Sequence, residues 1–120
     1  MNSPFRGQDE TAWSRSDKLV ARKILDVALK RELQEVIQEA KQMASTIKAP
    51  ADLWELEHYL TQRRKQIDRK YDSRTSHLTQ VLGKLLREDR LCEKDLRGLK
   101  ENRLKSVWSY AAFLARIEAS

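Results

Sequence analysis

The spacing of apolar and polar residues predicts helices along almost the whole chain. Between residues 20 and 47, apolar residues recur every three or four positions, which marks one face of an amphipathic helix. We expect this first helix to begin behind a Ser14 or Ser16 cap, because a short hydroxyl can accept from the unpaired N–H groups of the first turn. The helix should run to about Thr46, with Glu32 among the charged residues on its outer face.

A second long helix follows an interruption at Lys48-Ala49-Pro50, where proline cannot continue the hydrogen-bond ladder. Asp52 is a suitable cap for its start, and its apolar positions continue to Leu86. We expect one continuous helix over that range, although Asp72-Ser73 is a place where it could break. Arg63 falls on the apolar face, where its stem can cover core while its guanidinium group either reaches out to solvent or pairs with a carboxylate.

The C-terminal part predicts two shorter helices, over about 93–99 and 103–117, with Trp108 at core spacing. The fold class is therefore all-α, with residues 1–13 disordered and 14–120 forming a single all-helical domain. The two long helices are too long for one compact fold of this size. We expect two chains to pair them in an extended dimer, with the short C-terminal helices folding into a small helical head.

The composition of the chain further limits the class of protein to which it can belong. Three Gly and two Pro in 120 residues leave little material for tight turns, and the single cysteine, Cys92, excludes an internal disulfide or a multi-cysteine metal cage. The start has no secretory signal, and the apolar stretch 107–117 is too short to span a bilayer. Since no catalytic or metal-binding motif is visible, we expect a soluble cytoplasmic protein that is not an enzyme and has no cofactor or metal.

Positive charge is concentrated in the second half of the chain. Residues 61–105 hold fourteen Lys and Arg against seven Asp and Glu, within a net charge of +6 for the whole chain. Such a segment suits an acidic protein surface or nucleic acid. A basic helical dimer that binds nucleic acid is therefore one alternative, although acidic residues such as Asp68 and Asp72 interrupt the segment. A structural coiled-coil adaptor is another.

Trp54 points away from the apolar face of its own helix, by roughly 130° on a helical wheel. Trp and Arg are the residue types most enriched among binding hot spots, so a Trp in this position favours a docking surface. The alternative is that Trp54 packs against the other long helix or a second subunit, and the two roles are compatible. The residues within roughly 80° of Trp54 complete what we call the Trp54 face: Trp54, Glu57, His58, Thr61, Arg64, Lys65 and Asp68.

The stretch DLWELEHYLTQRRKQIDRKYDSR (52–74), followed by LGKLLRE (82–88), resembles the fluorescence recovery protein family of cyanobacteria. The resemblance implies an all-α dimer built on the long helices. It implies a regulator that binds the photoactivated orange carotenoid protein, speeds its return to the resting orange form and promotes its release from the phycobilisome on the thylakoid. Antenna fluorescence would thereby recover, and no contact with nucleic acid or integral contact with the membrane is expected.

The resemblance also implies roles for residues of the second helix. This chain departs from the family pattern in one pair: Glu57 precedes His58, whereas the family has His first and Asp second. The resemblance therefore does not assign the role of that Asp to His58. The expected partner-binding residues are Trp54, Glu57, His58, Arg64 and Asp68. The expected dimer interface consists of Leu53, Trp54, Leu56 and Leu60.

Overall fold

The protein is all-α, as the apolar spacing predicts. The computed structural model describes residues 13–71 and 77–119, and contains no strand within those ranges. Four α-helices and one short 3₁₀ helix follow in order: α1 (Arg15–Ser45), α2 (Pro50–Lys70), α3 (Leu78–Arg87), the 3₁₀ helix (Glu93–Leu96) and α4 (Glu101–Ala119). The short helix expected over 93–99 is thus a 3₁₀ turn, and the last helix is longer than expected.

The first long helix begins at one of its two expected caps, whereas the second begins at Pro50, behind Ala49 rather than at Asp52. The backbone N–H of Asp17 donates to Ser14 Oγ at 3.1 Å, which selects Ser14 over Ser16 as the cap of α1. Pro50 occupies the first position of α2, where its missing N–H costs nothing. Asp52 lies in the first turn rather than before it, and its Oδ2 accepts the backbone N–H groups of Lys48 at 2.9 Å and Ala49 at 3.1 Å. These two hydrogen bonds lower the pKa of Asp52.

The expectation of one helix continuing to Leu86 is wrong, because α2 ends at Lys70 and a separate helix begins at Leu78. Tyr71 has left the helical region, with φ −90° and ψ 43°. The side chains of Lys70 and Tyr71 both reach α1 by hydrogen bonds, and such contacts are invisible in apolar spacing. The possible break at Asp72-Ser73 lies outside the described residues.

The chain divides into two compact units. The smaller unit, Leu29–Tyr71, contains the second part of α1 and all of α2. The larger unit comprises Met1–Ala28 and Asp72–Ser120, so in its described residues the first part of α1 packs with α3, the 3₁₀ helix and α4. A single domain over 14–120 stays a prediction. The largest fully buried apolar side chains all belong to the larger unit: Leu78, Leu82, Leu85, Leu96 and Val107.

The start of α1 is fastened to α4 by Trp13. Its side chain is buried, and the guanidinium carbon of Arg103 lies 5.0 Å from the centre of its ring. Arg103 is itself buried, with its Nε 3.9 Å from Asp17 Oδ2. Of the segment 1–13 that was expected to be disordered, Trp13 is thus buried instead, and residues 1–12 lie outside the described residues.

Trp108 is not a core residue, contrary to the expectation from its spacing. It is 44% exposed, whereas Arg103, Val107 and Ala111 form the buried face of α4. On a helical wheel, Trp108 lies about 100° from Val107, which is at the middle of this buried face. On that face Arg103 contacts Trp13, so a charged residue occupies a buried position that apolar spacing cannot predict.

Gly83 allows α3 and α4 to approach closely, and its replacement gives a first testable prediction. A Cβ at this position would lie 2.7 Å from Tyr110 Cδ2 and 3.2 Å from the backbone oxygen of Val107. Alanine gains up to about 1 kcal/mol in helix propensity, but overpacking costs about 1–3 kcal/mol. We expect the overpacking to win, since the backbone oxygen of Val107 cannot move without α4.

Gly83→Ala should therefore lower the free energy of unfolding by about 1 kcal/mol in urea titrations. Lys84→Ala, at the exposed next position of α3, is the control and should stay within about 0.5 kcal/mol of the wild type. A Gly83→Ala variant more stable than the wild type would contradict the close packing of the two helices.

Candidate docking surface

The Trp54 face lies on the exposed side of α2. Trp54 is 64% exposed, so the described residues leave most of its ring uncovered. Ile67 is the only described α2 residue that is buried, and it lies on the apolar side of the helix. Of the other residues of the face, Glu57, His58, Arg64, Lys65 and Asp68 are exposed, and Thr61 is half-buried.

Within this face, one polar pair is already joined. The hydroxyl of Thr61 donates to Glu57 Oε2 at 2.8 Å, one turn along the helix. This bond fixes the carboxylate of Glu57 beside the helix backbone. In contrast, His58 has no hydrogen-bond partner among the described side chains, so the exchanged pair presents a free imidazole and a hydrogen-bonded carboxylate.

Two adjacent arginines of α2 have different surroundings. Arg63 lies on the apolar face, and of its two expected arrangements the structure shows the pairing with a carboxylate: its Nη2 donates to Glu32 Oε2 at 2.8 Å. Its Nη1 donates to Gln66 Oε1, also at 2.8 Å. Arg64 is exposed and has no hydrogen bond or ion pair among the described residues. Of these two arginines, only Arg64 therefore offers a free guanidinium group to a partner.

Glu32 was missed by sequence reasoning, which placed it on the outer face of α1. Glu32 is 0% exposed, and three side chains surround its carboxylate: two belong to α2 and the third to Tyr71, the C-terminal cap of that helix. Arg63 Nη2 and Lys70 Nζ donate to Oε2 at 2.8 and 2.9 Å, and Tyr71 Oη donates to Oε1 at 2.8 Å. We call Glu32, Arg63, Lys70 and Tyr71 the Glu32 cluster. One signal of its burial is its spacing, since residue 32 lies four positions after Ala28, which is buried.

The electrostatics of the Glu32 cluster favour the charged carboxylate. Burial by itself raises the pKa of Glu32, but hydrogen bonds from Lys70, Tyr71 and Arg63 outweigh it and hold that pKa below its ordinary value of 4.5. Glu32 is therefore ionised at neutral pH and forms two buried or partly buried ion pairs, with Arg63 and Lys70.

The residues expected at a dimer interface form an apolar edge next to the Trp54 face. Leu53 is 47% exposed and Leu60 41% exposed, while Leu56 is half-buried. On α1, Leu33 and Ile37 of the same unit are exposed as well. The smaller unit thus leaves several large apolar side chains uncovered in a single chain. Their role at an interface stays a prediction.

The described residues contain no cluster of metal ligands. No group of three or more His, Cys, Asp or Glu side chains among them could hold a metal ion. Cys92 is exposed, with its Sγ 3.2 Å from Asp95 Oδ2. Across residues 13–71 and 77–119, none of the helices is long and apolar enough to cross a membrane.

An all-helical chain whose most prominent surface is an exposed Trp and a free Arg has the features of a binding protein. Residues 13–111 match the family model described as photoprotection regulator fluorescence recovery protein. This chain belongs to the fluorescence recovery protein family of photoprotection regulators. The resemblance noted in residues 52–74 and 82–88 is thereby confirmed.

Individual relatives agree with this assignment. The fluorescence recovery protein of Synechocystis sp. is 32% identical over 101 residues, which cover 82% of this chain and 93% of that protein. The solved structure of the Fremyella diplosiphon fluorescence recovery protein superposes with a TM-score of 0.76 at 31% identity. The Synechocystis structure gives a TM-score of 0.76 at 30% identity. Each comparison covers 83% of this chain and 98% of the solved one.

Proposed function

We propose that this chain binds the photoactivated orange carotenoid protein, accelerates its return to the resting orange form and promotes its release from the phycobilisome, so that antenna fluorescence recovers. The observation that carries the proposal is the exposed Trp54 face, with its free Arg64, on a member of this family. The proposed site of action is the cytoplasm, beside the phycobilisomes.

Binding alone is sufficient for this activity. A protein without catalytic groups accelerates a conformational change when it binds the transition state or an intermediate more tightly than the starting state. Holding two separated domains of the client close together would do this, because it raises their effective concentration. We assign the contact to Trp54 as the aromatic anchor and to Arg64 as the charged one, with Glu57, His58 and Asp68 around them.

The charge of α2 supports an acidic client surface. Lys65 and Arg69 are exposed on the same helix as Arg64, within the basic segment 61–105. Opposite charge on the client would raise the association rate at low salt.

We also propose that two chains pair through the smaller unit, because Leu53 and Leu60 are uncovered in the single chain. Leu53→Glu places a charge in this interface, and burying an unpaired charge is costly. We expect the variant to elute as a monomer at concentrations where the wild type is a dimer, and to keep its helical circular dichroism. The control is Leu19→Glu, since Leu19 is equally exposed but belongs to the larger unit. A dimeric Leu53→Glu protein would contradict the proposed interface.

The proposed function is tested by comparing two client states. Purified orange carotenoid protein is mixed with this chain and passed over a sizing column, once in the dark and once under continuous blue-green light. We expect co-elution to be much stronger with the photoactivated client, since acceleration requires preferential binding of a state other than the resting one. Equal or absent binding to the two states would overturn the proposal.

A further inference from the structure

The Glu32 cluster has no part in the docking contact proposed above, and its geometry needs an explanation. Glu32 is completely buried, and its partners come from two turns of α2 and from Tyr71 at its end. A buried ion pair is weak evidence for stability, because desolvation offsets much of the attraction. Its better-attested use is to fix which arrangement of two helices forms.

Apolar packing within one chain does little to fix the rotation of α2. Ile67 is the only buried residue described on α2, while Leu53 and Leu60 stay exposed. Apolar contacts are also non-directional, so they tolerate a helix turned about its axis. A rotation of about 100°, the angle of one residue, would carry Arg64 toward the position of Arg63 and turn Trp54 with it.

Hydrogen bonds to a single carboxylate are directional, and here they come from one side of α2 and from Tyr71 at its C-terminal cap. Lys70 follows Arg63 by seven residues, or about two helical turns, and Tyr71 comes directly after it. All three side chains can reach one carboxylate only over a narrow range of helix rotation. Arg63 is further held by Gln66, at 2.8 Å. Charge-assisted bonds of this kind are about twice as strong as neutral ones.

We infer that Glu32 is a positioning residue: through Arg63, Lys70 and Tyr71 it sets the rotation of α2 against α1 and thereby directs the Trp54 face outward. Arg63 is thus held inward while Arg64, one residue further, stays free. The inference rests on the proposed function, since it concerns how the same face is presented to the client. It predicts that function depends on the cluster even where stability does not.

The test replaces the ion pairs by apolar side chains of similar size, with Glu32→Leu, Arg63→Leu and Lys70→Met in one chain. Such replacements are often neutral or stabilising, so we expect a folded dimer that melts no lower than the wild type. The concentration that gives half-maximal acceleration of client recovery should rise about tenfold, as when a binding hot spot is disturbed. The control chain carries Glu39→Gln, Lys41→Gln and Lys48→Gln, an equal change of charge at exposed positions of the same unit.

Wild-type recovery by a folded apolar variant would overturn the inference, whereas absence of recovery with the wild-type chain would overturn the proposed function itself. If the apolar variant does not fold, Lys70→Met with Tyr71→Phe is used instead. This variant keeps the pair of Glu32 with Arg63. We expect the concentration for half-maximal acceleration to rise about threefold, since two of the three residues that donate to Glu32 in the structure no longer do so. An unchanged half-maximal concentration in that variant would also overturn the inference.

Discussion

Arg64→Leu is expected to weaken client recovery by a factor of about 30 or more in half-maximal concentration while the dimer stays intact. Loss of an Arg hot spot costs about 2 kcal/mol or more in binding, which corresponds to this factor. The variant should fold normally, because Arg64 is exposed and has no partner among the described residues. Its free energy of unfolding should therefore stay within about 0.5 kcal/mol of the wild type.

The control for this prediction is Arg22→Leu, an equal substitution at an exposed position of α1 in the larger unit. It changes the net charge equally, so it separates a specific contact from general attraction. We expect it to alter the association rate slightly at low salt and to leave the half-maximal concentration near that of the wild type. A dimeric Arg64→Leu protein with wild-type recovery would remove Arg64 from the docking surface.

Glu32→Ala should be the most destabilising single substitution in the smaller unit. It leaves the ammonium of Lys70 and the guanidinium of Arg63 partly buried without their carboxylate. Removing one partner of a buried pair typically costs about 3–5 kcal/mol. Urea titration should measure this loss, and Glu39→Ala, at an exposed position of α1, should change the free energy of unfolding by less than about 0.5 kcal/mol. A small effect of Glu32→Ala would show that the cluster is open to water.

The same carboxylate predicts a dependence of stability on pH. The pKa of Glu32 is lowered in the folded chain, so the unfolded chain binds its proton first as the pH falls. The contribution of Glu32 is therefore complete above its ordinary pKa of 4.5 and is lost as the pH falls through the lower folded value. Glu32→Gln should flatten the loss of stability on the acid side of pH 4.5, measured as urea midpoints. If the urea midpoint of Glu32→Gln fell with pH as steeply as that of the wild type, the result would contradict an ionised Glu32 in the folded chain.

The local features of the fold could be predicted from the sequence, because they depend on neighbouring residues. The Ser14 cap, the interruption at Pro50 and the apolar spacing of α1 each act over a few residues, and the structure confirms them. The end of α2 at Lys70 could not be predicted in this way. It coincides with contacts of Lys70 and Tyr71 to Glu32, which lies 38 residues from Lys70 along the chain.

The candidate site shows the same division. The outward direction of Trp54 follows from helical geometry alone, and its exposure agrees with it. The sequence distinguishes Arg63 from Arg64 only by its position on the apolar face, and leaves open whether its guanidinium group reaches out to solvent or pairs with a carboxylate. The partner in the structure is Glu32, which is charged. A reading of the sequence that treats charged residues as exposed therefore places it on the surface. Its burial depends on three donors from another helix, so only the tertiary structure reveals it.

The most direct test of the proposed function is the dark recovery of photoconverted orange carotenoid protein, followed by absorbance with and without this chain. We expect the red form to return to the orange form several-fold faster at a molar excess of the chain, with a rate that saturates as the client becomes bound. An unchanged recovery rate at that excess, with the chain shown to be folded, would contradict the function proposed for this member of the family.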